Sequence, residues 1–374
     1  MNKIEMKTYN KRIIVVSNLS LMLIIGIFSI FSIDWHERQG GYIIIPGVPG
    51  YRISDDQIIR VGVIGPLSDS QGKNQFRGAY LAAWEINAAG GIFIGNSTVN
   101  QTYYIALVFE DTKESIESPS IEDALNAVVR FKDVKLARYF IGGFSSEMVR
   151  QYREEILDDG RIFLGTGAAT ADLCENLTDP SVDDKYKYWF RISPHNSDMQ
   201  GYDVVHFVQN LMKMVPTAAA EFENVSDSPY EGCNASSFSI SRVTILREAN
   251  DLTVGLAAYI ESLINSSVTV VKRSFASGLQ PEAWQSIWES IDDDGTQITI
   301  PLVSQFSSIS MIQSYRKLAD LNQVKTIIAG VDMSGSVSKF WDQTNGACEG
   351  EITTVSGAGL GVDYAAKSKL FYTR

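Results

Sequence analysis

The sequence predicts an α/β fold, two lobes with parallel-rich sheets, and three observations carry that prediction. The chain's 374 residues exceed one ordinary hydrophobic core. Short apolar runs alternate with amphipathic segments along most of its length, the pattern of repeated βα units with helices on both faces of a sheet. Residues Ile59 to Ile92 lay out one such unit in full: a strand that breaks at Gly65-Pro66 into a polar glycine loop, then a helix. The run Ile58 to Ile64 is too short for a helix and is interrupted only by Arg60, as expected of a strand covered on both faces. Phe76, Ala79, Tyr80, Ala83 and Ile86 recur at helical spacing and predict a face packed on the sheet.

Further strands are predicted at Tyr103 to Phe109, Arg138 to Ile141, Ile162 to Leu164, Val243 to Leu246, Val268 to Lys272, Ile298 to Val303, Lys325 to Ala329 and Glu351 to Val355. The clearest helix is Pro281 to Ile291, with proline in its first turn and Trp284, Ile287, Trp288 and Ile291 on one apolar stripe. Asn250 or Asp251 caps a helix running through Leu263, and Ser145 or Ser146 one running through Leu157. A break falls at Trp189-Phe190-Arg191-Ile192-Ser193-Pro194, after which a new series of βα units starts. The polar stretch Pro216 to Ser241 reads as an insertion at the edge of a lobe.

The N-terminus has a different character. Residues 1–12 hold four basic residues and one acid, and the 21 residues 13–33 hold no charge. That length crosses a bilayer as one helix, and the positive flank predicts a cytoplasmic tail with everything after Asp34 outside. Small residues of an A-x-A cleavage pattern are missing, so an uncleaved transmembrane anchor is predicted. Residues 34–57, rich in glycine and proline, read as a tether.

A net charge of -12 argues against a nucleic-acid partner. Cys174, Cys233 and Cys348 fall on the predicted outer side, where disulfides persist, and sequons at Asn96, Asn100, Asn176, Asn224, Asn234 and Asn265 are compatible with a glycoprotein. Enzyme readings find no support. No dinucleotide fingerprint, phosphate loop or nucleophile elbow is present, and the three histidines, His36, His195 and His206, lack metal-ligand spacing. The reading is therefore of a non-enzyme without catalytic residues, cofactor or metal.

The opening unit from Ile59 to Ile92, with its closing Asn87-Ala88-Ala89-Gly90-Gly91-Ile92, resembles the start of the type I periplasmic-binding family, receptors for branched-chain amino acids, amides and related solutes. Ile141-Gly142-Gly143-Phe144-Ser145-Ser146 resembles that family's strand-end G-x-x-S-S loop, and Thr166-Gly167-Ala168-Ala169-Thr170-Ala171-Asp172-Leu173 its S-x-A-A-T-x-x-L loop. The resemblance implies two Rossmann-like lobes: lobe 1 over 58–192, lobe 2 over 193–355, and a return to lobe 1 over 356–374 that looks truncated, so that the C-terminal part of lobe 1 is missing.

It also implies a site. Ser146 and Thr170 would take a ligand carboxylate with hydroxyl and backbone groups, Ala168 would take its ammonium with a carbonyl, and Ala169 lies in the same loop. Asp332, at the end of Ala329-Gly330-Val331-Asp332, would supply an acid for the ammonium, or else cap the next helix. The alternative for Ser145, and to a lesser degree for Ser146, is simple N-capping. Gln71 stands where many members have an aromatic residue, Leu252 where a tyrosine is frequent, and Phe306 and Ser307 are candidates for a side-chain pocket. Cys233 follows a helix leaving the cleft and Cys348 precedes a strand returning to it, so these two are expected to pair and leave Cys174 free.

The function implied is a solute-binding protein for amino-acid transport. It would close around an amino acid or amide and hand it to an ABC transporter permease. The alternative is the ligand-binding ectodomain of a membrane receptor or sensor.

Overall fold

The computed structural model describes residues 35–38, 41–96, 98–114, 120–175, 177, 184–222, 240–264, 267–321, 323–335 and 339–353. It forms two compact units, one of residues up to Asp111 with Asn126–Ile141, the other of Thr112–Leu125 with Gly142 onward.

The first unit holds strands β1 (Trp35–Arg38), β2 (Gly41–Ile44) and β3 (Ile58–Gly65), helix α1 (Ser70–Ala88), then β4 (Ile92–Gly95), β5 (Asn100–Asp111) and β6 (Tyr139–Gly142). Their order is β1-β2-β5-β3-β6, with β4 antiparallel to β5. β3 and β5 pair in parallel, Ile58 opposite Tyr104, and Val63, Ile64, Leu107 and Val108 are buried at the centre. Helix α2 (Ile121–Val129) runs into a π-helical turn, Arg130–Val134, that packs Phe131 edge-on against Phe140, ring centroids 5.4 Å apart.

Two sequence expectations change here. The stretch 34–57 is more than a tether: β1 and β2 form an antiparallel pair, Ile44 pairs with Leu107 of β5, and Ile43, Ile44 and Ile45 are buried. On α1, Ala79 and Ala83 face inward as expected, but Ile86 is exposed and Asn87 is fully buried. Asn87 Nδ2 donates to the carbonyls of Pro46 and Ile105, and its Oδ1 accepts the Ile105 amide, so the amide side chain stitches helix, loop and strand together.

The second unit continues with α3 (Ser146–Leu157), β7 (Ile162–Gly165), β8 (Trp189–Arg191), α4 (Ser197–Phe222), β9 (Arg242–Glu248), α5 (Asp251–Leu263) and β10 (Thr269–Phe275). There follow α6 (Pro281–Asp293), β11 (Ile298–Val303), α7 (Gln305–Ala319), β12 (Ile327–Asp332), α8 (Phe340–Thr344) and β13 (Ile352–Thr353). β7 and β8 pair in parallel, and the five-stranded sheet β10-β9-β11-β12-β13 is parallel throughout. That order is doubly wound, and the chain reverses its direction of travel between β9 and β11, where such sheets open a crevice at their carboxyl ends.

Both faces of this sheet are covered. Val243 and Ile245 of β9 pack with Leu256 and Ile260 of α5 and Val204 and Val208 of α4, while Leu246 points the other way, toward Trp284, Trp288 and Ile291 of α6 and Met311 of α7. The alternation along β9 explains why one strand serves two cores. Trp284 and Trp288, predicted core residues, are fully buried, and their ring N–H groups donate to Ser310 Oγ at 2.9 Å and to the Met311 carbonyl at 3.3 Å.

The strand expected at Lys325 to Ala329 begins at Ile327 and runs through Asp332. Residues 142–192 group by their contacts with the second unit. The segments 13–33 and 356–374 lie outside the described residues, as do Asn176, Asn224, Cys233, Asn234 and Asn265. Among the described residues no helix is long and apolar enough to cross a membrane.

Candidate functional site

The loop after Gly142 turns into α3 through Gly143, whose positive φ of 82° and close neighbours, Val149 and Tyr152, leave no room for a side chain. Behind this loop sits Glu114, buried at 4% exposure. Its Oε2 accepts the Ser145 amide at 2.8 Å and the Phe144 amide at 3.4 Å, and its Oε1 accepts the hydroxyls of Thr112 at 2.8 Å and Tyr152 at 3.3 Å. Burial raises the Glu114 pKa to about 7 despite these bonds. Nothing in its local sequence marked it, because all its partners but Thr112 come from the loop before α3 and from Tyr152 of α3, about 30 or more residues on.

Ser145 is the N-cap residue of α3 by position, but its side chain makes no capping bond. Ser146 is buried, and its Oγ accepts the amides of Ala169 and Thr170 at 3.1 and 3.2 Å. The two loops singled out in the sequence are therefore joined. Ala168, Ala169 and Thr170 are also buried, and the Ala169 carbonyl accepts Arg191 Nη1 at 2.9 Å and the Ser197 amide at 2.8 Å. Thr170 Oγ1 lies by Asp172 without a well-formed hydrogen bond. Although partial burial opposes it, Thr170 and then Arg150 hold the Asp172 carboxyl below its ordinary value.

Asp332 stands at the carboxyl end of β12, 2% exposed. Its carboxylate accepts the Ser308 hydroxyl and, at 2.7 Å, the Ser334 amide, while its own amide donates to Thr353 Oγ1 at 2.9 Å. Glu351 shares this pocket of structure. Burial first, then the neighbouring Asp332 carboxylate, pushes Glu351 up to about 9, and burial raises Asp332 as well. The Asp332 and Glu351 carboxyls lie near each other, Glu351 Oε1 without a well-formed hydrogen bond, and among the described residues no cation pairs with either. Glu351, read in the sequence only as the start of a strand, was missed as a site residue because it lies 19 residues beyond Asp332, just before β13.

At the β9/β11 crevice Glu248 is fully buried, its carboxylate accepting the Ser304 amide at 2.6 Å and the Ser307 hydroxyl at 3.1 Å. Ser307, expected to line a pocket, is thus committed to Glu248, and the Phe306 side chain lies outside the described residues. Asn250 caps α5 by accepting the Thr253 amide at 3.0 Å, as one of the two predicted caps, and Leu252 follows on the first turn, half-buried. Gln71 is in α1 of the first unit, where its Oε1 accepts the Ser70 hydroxyl at 2.8 Å. Cys174 and Cys348 are both free thiols, and the expected partner of Cys348 lies outside the described residues.

One set of contacts joins these regions. Glu147 and Arg150, three residues apart on α3, both reach Asp251, the first residue of α5: Glu147 Oε1 accepts the Asp251 amide at 2.9 Å, and Arg150 Nη1 meets Asp251 Oδ2 at 3.0 Å. Arg150 Nη2 also pairs with Asp172 at 2.7 Å. The first turns of α3 and α5 therefore meet, and the loops that start both helices border one interface.

No protein-family model matches the sequence, and no curated protein matches it. Solved structures do. A protein from Silicibacter pomeroyi described as a branched-chain amino acid ABC transporter superposes with a TM-score of 0.60 at 17% identity, covering 84% of this chain and 70% of that one. A leucine-binding protein from Thermotoga maritima gives 0.54 at 16% identity over 84% and 75% of the two chains. A solute-binding protein of an ABC transporter from R. palustris, in complex with 4-hydroxybenzoate, gives 0.53 at 14% over 77% and 65%. The resemblance seen in the loop sequences is thus matched in three dimensions, and the chain has the α/β fold of the type I periplasmic-binding proteins.

Proposed function

We propose that the protein is an extracytoplasmic solute-binding protein that captures a small amino acid or amide between the α3 and α5 loops and delivers it unchanged to an ABC importer. The observation that carries this reading is the meeting of the first turns of α3 and α5 at Asp251, which sets the loop of Ser146, Ala168, Ala169 and Thr170 at the same interface as the start of α5. Helix N-termini there offer amide donors suited to a carboxylate. Asp332, buried beside Glu351 with no cation among the described residues, is suited to the ligand's ammonium.

Capture follows from hinge closure. A solute that touches both walls binds the closed state better than the open one and shifts the population accordingly. The uncharged segment 13–33 would hold the protein at the membrane near its permease.

The test is calorimetric titration of the full chain with amino acids and their amides. Asp332→Ala is expected to weaken binding at least tenfold, about 1.4 kcal/mol, with the fold intact. Unchanged affinity removes Asp332 from the site.

A further inference from the structure

The large apolar side chains that the first unit exposes are not scattered. Among its described residues they gather where β3 and β5 begin, at the end of the sheet opposite the strand tips Gly65 and Asp111. The loop from β2 to β3 turns there, because β2 runs antiparallel to β5 and β3 parallel to it, and Tyr51 stands on that loop 70% exposed. The β4–β5 hairpin reaches past the sheet: β4 pairs with Asn100 to Tyr103, whereas the first residue of β3, Ile58, is opposite Tyr104. Phe93, 66% exposed, and Ile94 lie on this hairpin. Helix α1 ends at the same place. A Cβ on Gly47 of the loop would meet the Trp84 carbonyl at 2.7 Å, which sets Trp84, itself exposed, beside the loop. Val134 and Leu136, also exposed, precede Arg138, whose amide donates to the carbonyl of Arg60 near the start of β3 at 3.2 Å.

Single exposed apolar residues are ordinary, but a group contributed by four separate segments to one end of a sheet marks a contact surface. The chain itself says what covers it. β1 is antiparallel to β2 with Trp35 opposite Ile44, so β1 starts where β2 ends, at this same end of the sheet. One residue, Asp34, separates β1 from the uncharged stretch 13–33. A single extended residue reaches only about 3.5 Å. A bilayer crossed by that stretch therefore lies against the end of the sheet that carries Tyr51 and Phe93. The charges there are balanced against attraction to anionic lipid: Arg52 and Arg138 are offset by Asp55, Asp56 and Glu85, all exposed. Contact through this face is apolar, with aromatic side chains of the kind that settle at a membrane interface.

We propose that this end of the first unit is a membrane-contacting face, which rests Tyr51, Phe93 and their apolar neighbours in the interfacial layer of a bilayer of zwitterionic lipid. The proposal rests on the reading of residues 13–33 as the membrane attachment and adds to it: the folded unit lies on the lipid surface instead of hanging from it by a tether.

The test is photo-crosslinking of the full chain in phosphatidylcholine vesicles whose lipid carries a diazirine near the glycerol end of its acyl chain, followed by peptide mapping. Crosslinks are expected on the peptides that hold Tyr51, Phe93 and Val134, about tenfold above those on residues 66–69 at the opposite end of β3, and unchanged by high salt. Tyr51→Ser combined with Phe93→Ser, both at exposed positions, should lower the Val134 crosslinks severalfold with the circular dichroism unaltered. If the chain stays with the vesicles through an alkaline wash and these peptides are labelled no more than residues 66–69, the contact face is overturned and attachment by 13–33 stands. Labelling that vanishes in high salt overturns it too, since charge would then hold the surface. So does a dimer in detergent that Phe93→Ser dissociates, which would give the face to a second copy of the chain. A chain washed off entirely counts against both the face and the attachment, and leaves solute capture to its own titration.

Discussion

Ser146 does more than the capping its position suggested. Its hydroxyl accepts two buried amides of a loop 23 and 24 residues away, so Ser146→Ala should destabilise the protein by about 1–3 kcal/mol in urea unfolding, the cost of leaving a buried donor bare. An effect below about 0.5 kcal/mol would show that water replaces it freely. Glu351 gives a second residue-level test. Its folded pKa, about 9, lies above its ordinary 4.5, so the stability from its buried, protonated form is complete below pH 4.5 and is lost as pH rises toward 9. Glu114, raised to about 7, acts in the same direction over the lower part of that window. The melting temperature should therefore fall between pH 5 and pH 9, and Glu351→Gln, which cannot ionise, should flatten the decline. A profile unchanged by that substitution would mean the carboxyl is ionised in the folded protein. If an ammonium docks beside Asp332, it favours the ionised pair, so binding should release a proton, visible as a buffer-dependent calorimetric enthalpy.

At the scale of elements, α6 shows what periodicity can reveal. Pro281 in the first turn and the stripe of Trp284, Trp288 and Ile291 predicted both the helix and its buried face. Trp288→Ala should cost about 3–5 kcal/mol, measured by denaturant unfolding. The strands β3, β5, β7, β9 and β11 were legible for the same reason, as short apolar runs bounded by turn residues. β1 and β2 were not, because Gly40, Gly41, Pro46 and Gly47 surround a four-residue strand with the composition of a linker, and its burial depends on a partner far along the chain. Ile86 and Asn87 exchanged roles for a similar reason: side-chain amides paired to backbone are invisible to an apolar pattern. The link between α3 and α5 spans 101 residues in sequence, beyond any local signal. Arg150→Ala should leave secondary structure unchanged and weaken solute affinity severalfold if that link stabilises the closed arrangement. Tighter binding would show instead that it opposes closure.

For the whole molecule, the fold was readable from repeated βα units and the two loop resemblances, and the superposition on solute-binding proteins matches that fold. Of the candidate residues, Ser146 is joined to Ala169 and Thr170 by hydrogen bonds between the two loops singled out in the sequence, and their holding a solute is the proposal made above; Glu351, Glu114 and Arg191 reach their places through long-range packing that only the folded chain displays. Capture without chemistry is the central claim. Its most direct test is the melting temperature of the full chain with and without saturating amino acids, amides and organic acids, since a ligand bound only by the native state raises it. At 100 times its Kd the right solute should stabilise the protein by about 2.7 kcal/mol and be recovered intact afterwards. A melting temperature indifferent to every solute, or a solute consumed during incubation, would contradict the account.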